Sequence, residues 1–563
     1  MGRAWRVLGV VLLLLTILQV GPLKAEFAGE DERMLLIVGD VSDATARVLY
    51  EGLGGEESAR PLTAQLFEEP AHAPVHNFSV VAKRVPQILK LDGLKENTRY
   101  SVHFDNDDWV SFRTFPSRQS HVKRELKMVA LSCDRYFEDK DDEMWTLLNQ
   151  KEALDVNNTN NNDNNDNDNN DNNNTGELDL IVHMGDQIYA DDVLARWREK
   201  LSNRTATTEA DQDQQDYEQL VEDYRKVYRI TFGQPEAQKA MRHAANWMLL
   251  DDHDVFNNLD FDYLKRDPSV TIAFKAGMQA YHEYQGQLME DMPEDTGSVH
   301  RVDFVREVMN VAYFSDAVHP MTGDAQFVDF ERRIKEYGTR DDISHIFVLS
   351  PVPLMFLTPL MASIAYLAEK EIYPTYSLFL NDTLELFDMM LPYHQKIKLV
   401  SGDIHQFVLG DICHSSGACI PQMVRRPRWR ALSRPTLRAD SGRRSAVIDS
   451  LKLWFFYMAF RHIAPKGVGD WTIKTEQQVL MRNYGVVQVD GASYWWQGVF
   501  PADIPQRHQV QTFIFDHLHI FIQIVGALFL AQLFAFILAR AFKKALPPTP
   551  TPAPKQTKAA RRK

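Results

Sequence analysis

Residues 178–191 read Leu-Asp-Leu-Ile-Val-His-Met-Gly-Asp-Gln-Ile-Tyr-Ala-Asp: an apolar run, a glycine, then an acid and a phenol, Asp186 and Tyr189. Three other stretches repeat the layout. Met128–Leu131 precedes Ser132-Cys133-Asp134-Arg135, Trp247–Leu250 precedes Asp251-Asp252-His253-Asp254 with Asn257 and Asn258, and Ile397–Val400 precedes Ser401-Gly402-Asp403-Ile404-His405. Together with Leu178–His183, these runs read as buried strands that deliver loops to a common edge. Longer helical patterns alternate with them, over Tyr217–Ile230 and over Glu236–Leu250, the second overlapping an apolar run. Further strands are expected at Ile346–Leu349, Lys396–Val400 and Tyr484–Gln488. The fold class is therefore α/β, or α+β in layers, with chemistry on loops at strand ends.

At 563 residues the chain exceeds one ordinary core, so two or three folded units are expected. Residues 31–118 carry short branched and aromatic runs: Leu35–Val38, Ala46–Tyr50, Tyr100–Phe104 and Val110–Phe115. Asp40, Gly93, Asn97 and Asp105–Asp108 punctuate them, which fits a small β-sandwich of the fibronectin or immunoglobulin type. A basic linker, His121–Lys127, leads into the larger domain, 126–495. Within it, residues 157–175 contain only Asn, Asp and two Thr. Such a tract buries too little surface to order itself and reads as a disordered insertion.

Net charge is -15, from 62 basic and 77 acidic residues, and there is no Lys/Arg stripe with interleaved aromatics. Bulk nucleic acid is thereby excluded as an expected partner. Residues 1–25, with Arg3 and Arg6 before the apolar Val7–Val20, have the layout of a secretory signal, an uncleaved anchor being the alternative. Residues 518–539 are apolar and long enough to cross a bilayer. Arg540, Lys543 and Lys544 follow, then a Pro-rich tail over 540–563, which places the tail in the cytosol. The expected topology is single-pass type I, with the larger domain extracellular or lumenal. There are three cysteines. Cys413 and Cys419 can bridge in an oxidising compartment, and metal ligation would account for the remaining Cys133. Asn77, Asn203 and Asn381 head triplets that would accept glycans on that side.

Carboxylates, a thiol, a phenol and imidazoles gathered at one edge cost several kcal/mol of desolvation unless something cationic compensates. A pair of metal ions does so, and two-metal sites hydrolyse phosphate esters. Asp186 can lend an oxygen to each ion. Tyr189 as a phenolate favours a hard trivalent ion such as iron. Asp403 and His405 alternate and point the same way. Asp252 can ligate a second metal while His253, with a titration range suited to proton transfer, leans over the substrate. Asp251 and Asp254 are placed to orient His253, and Asn257 is a neutral oxygen donor. Arg135 suits a clamp on phosphate oxygens. Taken singly, each has a plainer reading: a turn before a core tyrosine, a buried structural thiol, a satisfied surface histidine.

The four clusters in this order resemble the PhoD-like alkaline phosphatases and phosphodiesterases of the calcineurin-like metallophosphoesterase superfamily. Ser350-Pro351-Val352-Pro353 and Arg482-Asn483-Tyr484-Gly485 add weaker agreement. The resemblance spans about residues 126–490, and the small β domain is similar to one that precedes such catalytic domains. It implies a double-sheet sandwich flanked by helices. It also implies that Cys133, Asp186, Tyr189 and His405 hold the first metal, usually Fe(3+). Asp186, Asp252 and Asp403, with Asn257 helping, would hold the second, where Ca(2+) or another divalent ion is expected. Asp134 is either a ligand or a group behind the ligands. The implied reaction is hydrolysis of small phosphate mono- or diesters by a hydroxide held between the metals, with no obligate protein partner. The family's Asp-x-Arg signature is missing from the comparable run Val311–His319. The superfamily's isolated metal-binding histidine is not identifiable, His319 and His345 being candidates on position only. Two other classes fit the same residues: a surface or adhesion protein stapled by metals, and a hydrolase of another tetrahedral oxyanion ester.

Overall fold

The computed structural model describes residues 34–500 apart from 53–58, 71–72, 121–123, 135, 137–142, 153–177, 204–209, 258, 260–263, 265–266, 268–269, 294–304, 309–310, 316–323, 370–372, 405–406, 425–466, 480–482 and 491–492. The expected signal (1–25), Asn/Asp insertion (157–175), apolar span (518–539) and tail (540–563) lie outside the described residues, as do Arg135, Asn258, His319 and His405. No helix among the described residues is long and apolar enough to cross a membrane.

Among the described residues seven strands come first: β1 (Leu35–Val41), β2 (Ala46–Glu51), β3 (Arg60–Glu68), β4 (His76–Ala82), β5 (Gln87–Leu91), β6 (Arg99–Phe104) and β7 (Trp109–Arg113). They form one sheet in the order β1-β2-β5 and another in the order β4-β3-β6-β7, antiparallel throughout. Alternate residues of β3 are buried and exposed, as expected of a sheet with one wet face.

Thirteen further strands follow among the described residues. They are β8 (Leu126–Leu131), β9 (Leu180–Met184), β10 (Ala245–Leu249), β11 (Val305–Val308), β12 (Val311–Ser315), β13 (His345–Ser350), β14 (Ile397–Ser401), β15 (Phe407–His414), β16 (Cys419–Val424), β17 (Gly467–Val468), β18 (Trp471–Val479), β19 (Tyr484–Asp490) and β20 (Ser493–Val499). A five-stranded sheet runs β10-β9-β8-β19-β20 and an eight-stranded sheet runs β11-β12-β13-β14-β16-β15-β18-β17. β8, β9 and β10 are mutually parallel, as are β12, β13 and β14. Every residue of β8, β9 and β10 is buried, which is why these strands read as mainly apolar runs, with Lys127, His183 and Asn246 the polar exceptions. β13 instead divides its side chains by period two. Phe347 and Leu349 join the core shared with the five-stranded sheet, while Ile346 and Val348 join a second core behind. The molecule is thus a mixed α/β fold of several sheets and helices.

Helix Ala210–Phe232 follows its heptad-like apolar spacing, with Leu220, Val221, Tyr224, Val227, Tyr228 and Phe232 all buried. The expected helix over Glu236–Leu250 is cut short. It runs only from Pro235 to Met241, and Ala245–Leu249 enters the ladder beside β9. Ladder pairing with β9 and full burial of the run outweigh local helical periodicity here, although Trp247 is its one strong strand former. Cys413 and Cys419 face each other across β15 and β16 and are joined in a disulfide, leaving Cys133 free and buried. Asn77, Asn203 and Asn381 are exposed.

The sandwich is not a bead on a linker. One apolar core runs continuously from Met34 through the five-stranded sheet to Val489. Polar side chains lock the junction: Asn246 Nδ2 donates to Val38 O at 2.9 Å, Trp247 Nε1 to Asp40 Oδ1 at 3.0 Å, and Arg242 Nη1 to Asp108 Oδ1 at 2.9 Å. Deepest is Glu51, wholly buried, which takes Arg229 Nε at 2.7 Å and the Tyr284 hydroxyl at 2.7 Å.

Candidate metal centre

Cys133, Asp186 and Asp403 each lie two residues beyond the end of a strand, β8, β9 and β14 respectively. Each adopts the left-handed backbone region, with φ of 61°, 57° and 64°. For a non-glycine residue that conformation costs about 1–3 kcal/mol, and such strain clusters at functional sites. The effect is to turn three side chains sharply at the lip of two facing sheets. Backbone bonds tie the loops together: Cys133 N donates to Gly185 O (3.2 Å), Asp134 N to Asp186 O (2.9 Å) and Gly402 N to Pro351 O (3.1 Å). Two glycines permit the approach. A Cβ at Gly185, where φ is 89°, would lie 2.5 Å from the Asp251 Cβ. One at Gly402 would lie 2.8 Å from Met184 O.

Two groups of side chains bring their ligand atoms within 4.8 Å of one another: Asp186, Asp252 and His253, and Asp186, Asp251 and Asp403. Asp186 belongs to both. The carboxylates are divided differently from the sequence expectation, which paired Asp252 with Asp403 and set Asp251 behind the ligands. Asp251 is extended, with φ -131° and ψ -179°, and caps the short 3-10 turn Asp252–Asp254, so its side chain falls in with Asp403. Tyr189, buried, donates its hydroxyl to Asp186 Oδ2 at 3.2 Å. Cys133 Sγ lies 3.3 Å from Ser132 Oγ and 3.8 Å from Asp403 O.

Asp186 Oδ1 is buried with no hydrogen-bond partner. Burial pushes the Asp186 carboxyl up to about 8; His253 opposes this, and Asp252 and Asp254 add to it. Burial, with the Asp186 and Asp403 carboxylates, drives the Cys133 thiol well above its ordinary range. Both shifts express one deficit of positive charge, and a cation at this point returns both groups to their ligand forms. The donor set therefore fits metal ions.

His253 stands differently. Its Nδ1 is 2.8 Å from Asp191 Oδ2, and its ring lies over Tyr189 with centroids 4.2 Å apart. Asp191 also accepts the Asn257 amide at 2.7 Å, so one carboxylate braces both the imidazole and the exposed end of the turn that carries Asn257. The sequence gives Asp191 no role and offers Asp251 and Asp254 to orient His253. The partner comes instead from the start of helix Asp191–Ser202. An acid two residues beyond the phenol is the sequence signal that was there to find it. Asp254 is wholly buried and bonds backbone amides. Asp134 belongs to neither ligand group and accepts Trp145 Nε1 at 2.9 Å. His345 opens β13, whose other end, Ser350, reaches the site, so its position does not serve as a ligand.

Residues 168–303, which carry the second and third clusters, match the family of PhoD-like phosphatases. The solved structure of PhoD is similar in fold, with a TM-score of 0.53 and 14% identity over 81% of this chain and 84% of that one. No curated protein matches the chain. The resemblance of this chain to the PhoD-like phosphatases is thereby borne out.

Proposed function

We propose that the protein is a metal-dependent phosphoesterase that hydrolyses small phosphate mono- or diesters. The observation that carries the reading is the unpartnered, buried Oδ1 of Asp186, on a carboxylate shared by two acidic ligand groups. Asp186 would bridge two ions, with Cys133, Tyr189 and His405 on an iron(III) side. Asp252, Asp403 and Asn257, joined by Asp251, would serve the side expected to take calcium or another divalent ion. When bound, such ions acidify an attacking water and offset charge on the phosphoryl oxygens. The chain's own part is acid–base work and orientation. His253, held by Asp191, presents its other ring nitrogen to protonate the departing alkoxide, and Arg135 steadies a nonbridging oxygen. A second reading has His253 as a ligand, since it shares a group with Asp186 and Asp252.

Metal analysis of the full chain, with hydrolysis of a panel of mono- and diesters, tests the proposal. Iron with a second metal, and turnover that chelation abolishes, are expected; active protein without metal would overturn it. Phenolate-to-iron charge transfer should colour the protein, and Tyr189→Phe should bleach it. We further propose that the enzyme works outside the cytosol, held by residues 518–539. Ending the chain at about Gln511 should then release a soluble, active protein, and digestion of residues 540–563 by protease added to intact cells would refute that topology.

A further inference from the structure

The Asp254 carboxylate is fully buried and accepts from backbone amides. Oδ2 accepts the backbone amides of Asp186 at 3.2 Å and Asp251 at 3.0 Å, while Oδ1 accepts the amide of Ile188 at 3.2 Å. Two of these amides belong to the very residues whose carboxylates form the ligand groups, one on the loop after β9 and one on the loop after β10. The Gln285 side chain bonds the same carboxylate. Gln285 sits in a π-helical segment, His282–Gly286, a rare insertion that often marks a functional site. Its Oε1 accepts Gln187 Nε2 at 2.8 Å, and its Nε2 donates to the Tyr228 hydroxyl at 2.9 Å. Gln187 Nε2 also reaches Leu249 O, the last residue of β10, at 2.6 Å. Both loops are thus closed from beneath by one buried acid and two carboxamides.

We infer that Asp254 is a positioning residue for the metal centre. By gripping three amides it holds Asp186 in its left-handed backbone conformation and sets the separation of the Asp186 and Asp251 carboxylates. The inference rests on the metal-centre reading above. A carboxylate is required because all three partners are N–H donors. An asparagine of the same size must turn its NH2 group against at least one of them. Gln285 serves the same end at one remove.

The test is metal affinity, read without reference to turnover. The full chain, stripped by chelator, is titrated with manganese(II) alone, a probe suited to a carboxylate-rich site, and bound metal is followed by paramagnetic resonance. Asp254→Asn should weaken binding roughly 10- to 100-fold, as loss of a group supporting metal ligands commonly does. Thr383→Ala removes a buried hydroxyl from the second core, so it should lower thermal stability and leave affinity unchanged. Equal affinity in Asp254→Asn and the unaltered chain would overturn the positioning role alone. Failure of the unaltered chain to bind any metal would overturn the metal-centre reading and this inference with it. If Asp254→Asn does not fold, Gln285→Ala stands in, with a several-fold loss expected and no loss overturning the inference.

Discussion

Burial alone would strip the proton from His253, yet the carboxylates of Asp191, Asp252 and Asp186 outweigh it and hold the imidazole well above its ordinary range. A raised histidine is a donor below its shifted pKa and ceases to be one as pH rises through it. His253→Ala should therefore lower turnover of an alkyl ester by roughly 10²- to 10⁴-fold. An aryl ester whose leaving group needs no proton should lose far less, with metal content unchanged. Loss of a metal in that variant would favour the ligand reading instead. Asp191→Asn removes the strongest of the charges that raise His253, so the alkaline limb of the alkyl-ester profile should move to lower pH. Most of these residues were legible in the chain because acids, a thiol and a phenol follow apolar runs at short, regular spacing. The pairing of Asp251 with Asp403 was not, since it depends on one extended residue capping a single short turn.

Elements that are buried on both faces announced themselves. β8, β9, β10 and β14 appear in the sequence as mainly apolar runs, within two residues of their observed bounds. β3, β4 and β5 did not, because their outward residues are polar and no run builds up. The β15–β16 hairpin carries the disulfide. Its cysteines face each other at the end far from the site, and their loop is short, with a sequence separation of 6. Closing so small a loop stabilises by about 2 kcal/mol in the chain-entropy account. The double variant Cys413→Ser/Cys419→Ser should unfold at lower denaturant by that amount while keeping full activity. A collapse in activity at unchanged metal content would mean that the hairpin shapes the site.

Across the whole molecule, the sequence marks a small β domain before a larger one but carries no periodic signal for the junction between them. In fact a shared core and the buried Glu51–Arg229 pair make the two lobes one folded body. Removing one partner of such a pair leaves an uncompensated buried charge, so Arg229→Ala should cost roughly 3–5 kcal/mol in denaturant unfolding. His243 gives the same junction a pH dependence. It lies on Ser111 of β7 at 2.9 Å and against the Trp109 ring. Burial, then Arg242, Lys239 and Arg99, push it down to about 4. A histidine held neutral in the fold contributes its full stability above the unfolded value of roughly 6.5. That contribution drains away as pH falls toward the folded value, because the unfolded chain takes up the proton first. The melting temperature of the full chain should therefore fall between about pH 6.5 and 4, with this histidine accounting for on the order of 1–2 kcal/mol after allowance for its partial exposure. His243→Gln should flatten that part of the profile. An unchanged slope would place the acid sensitivity elsewhere.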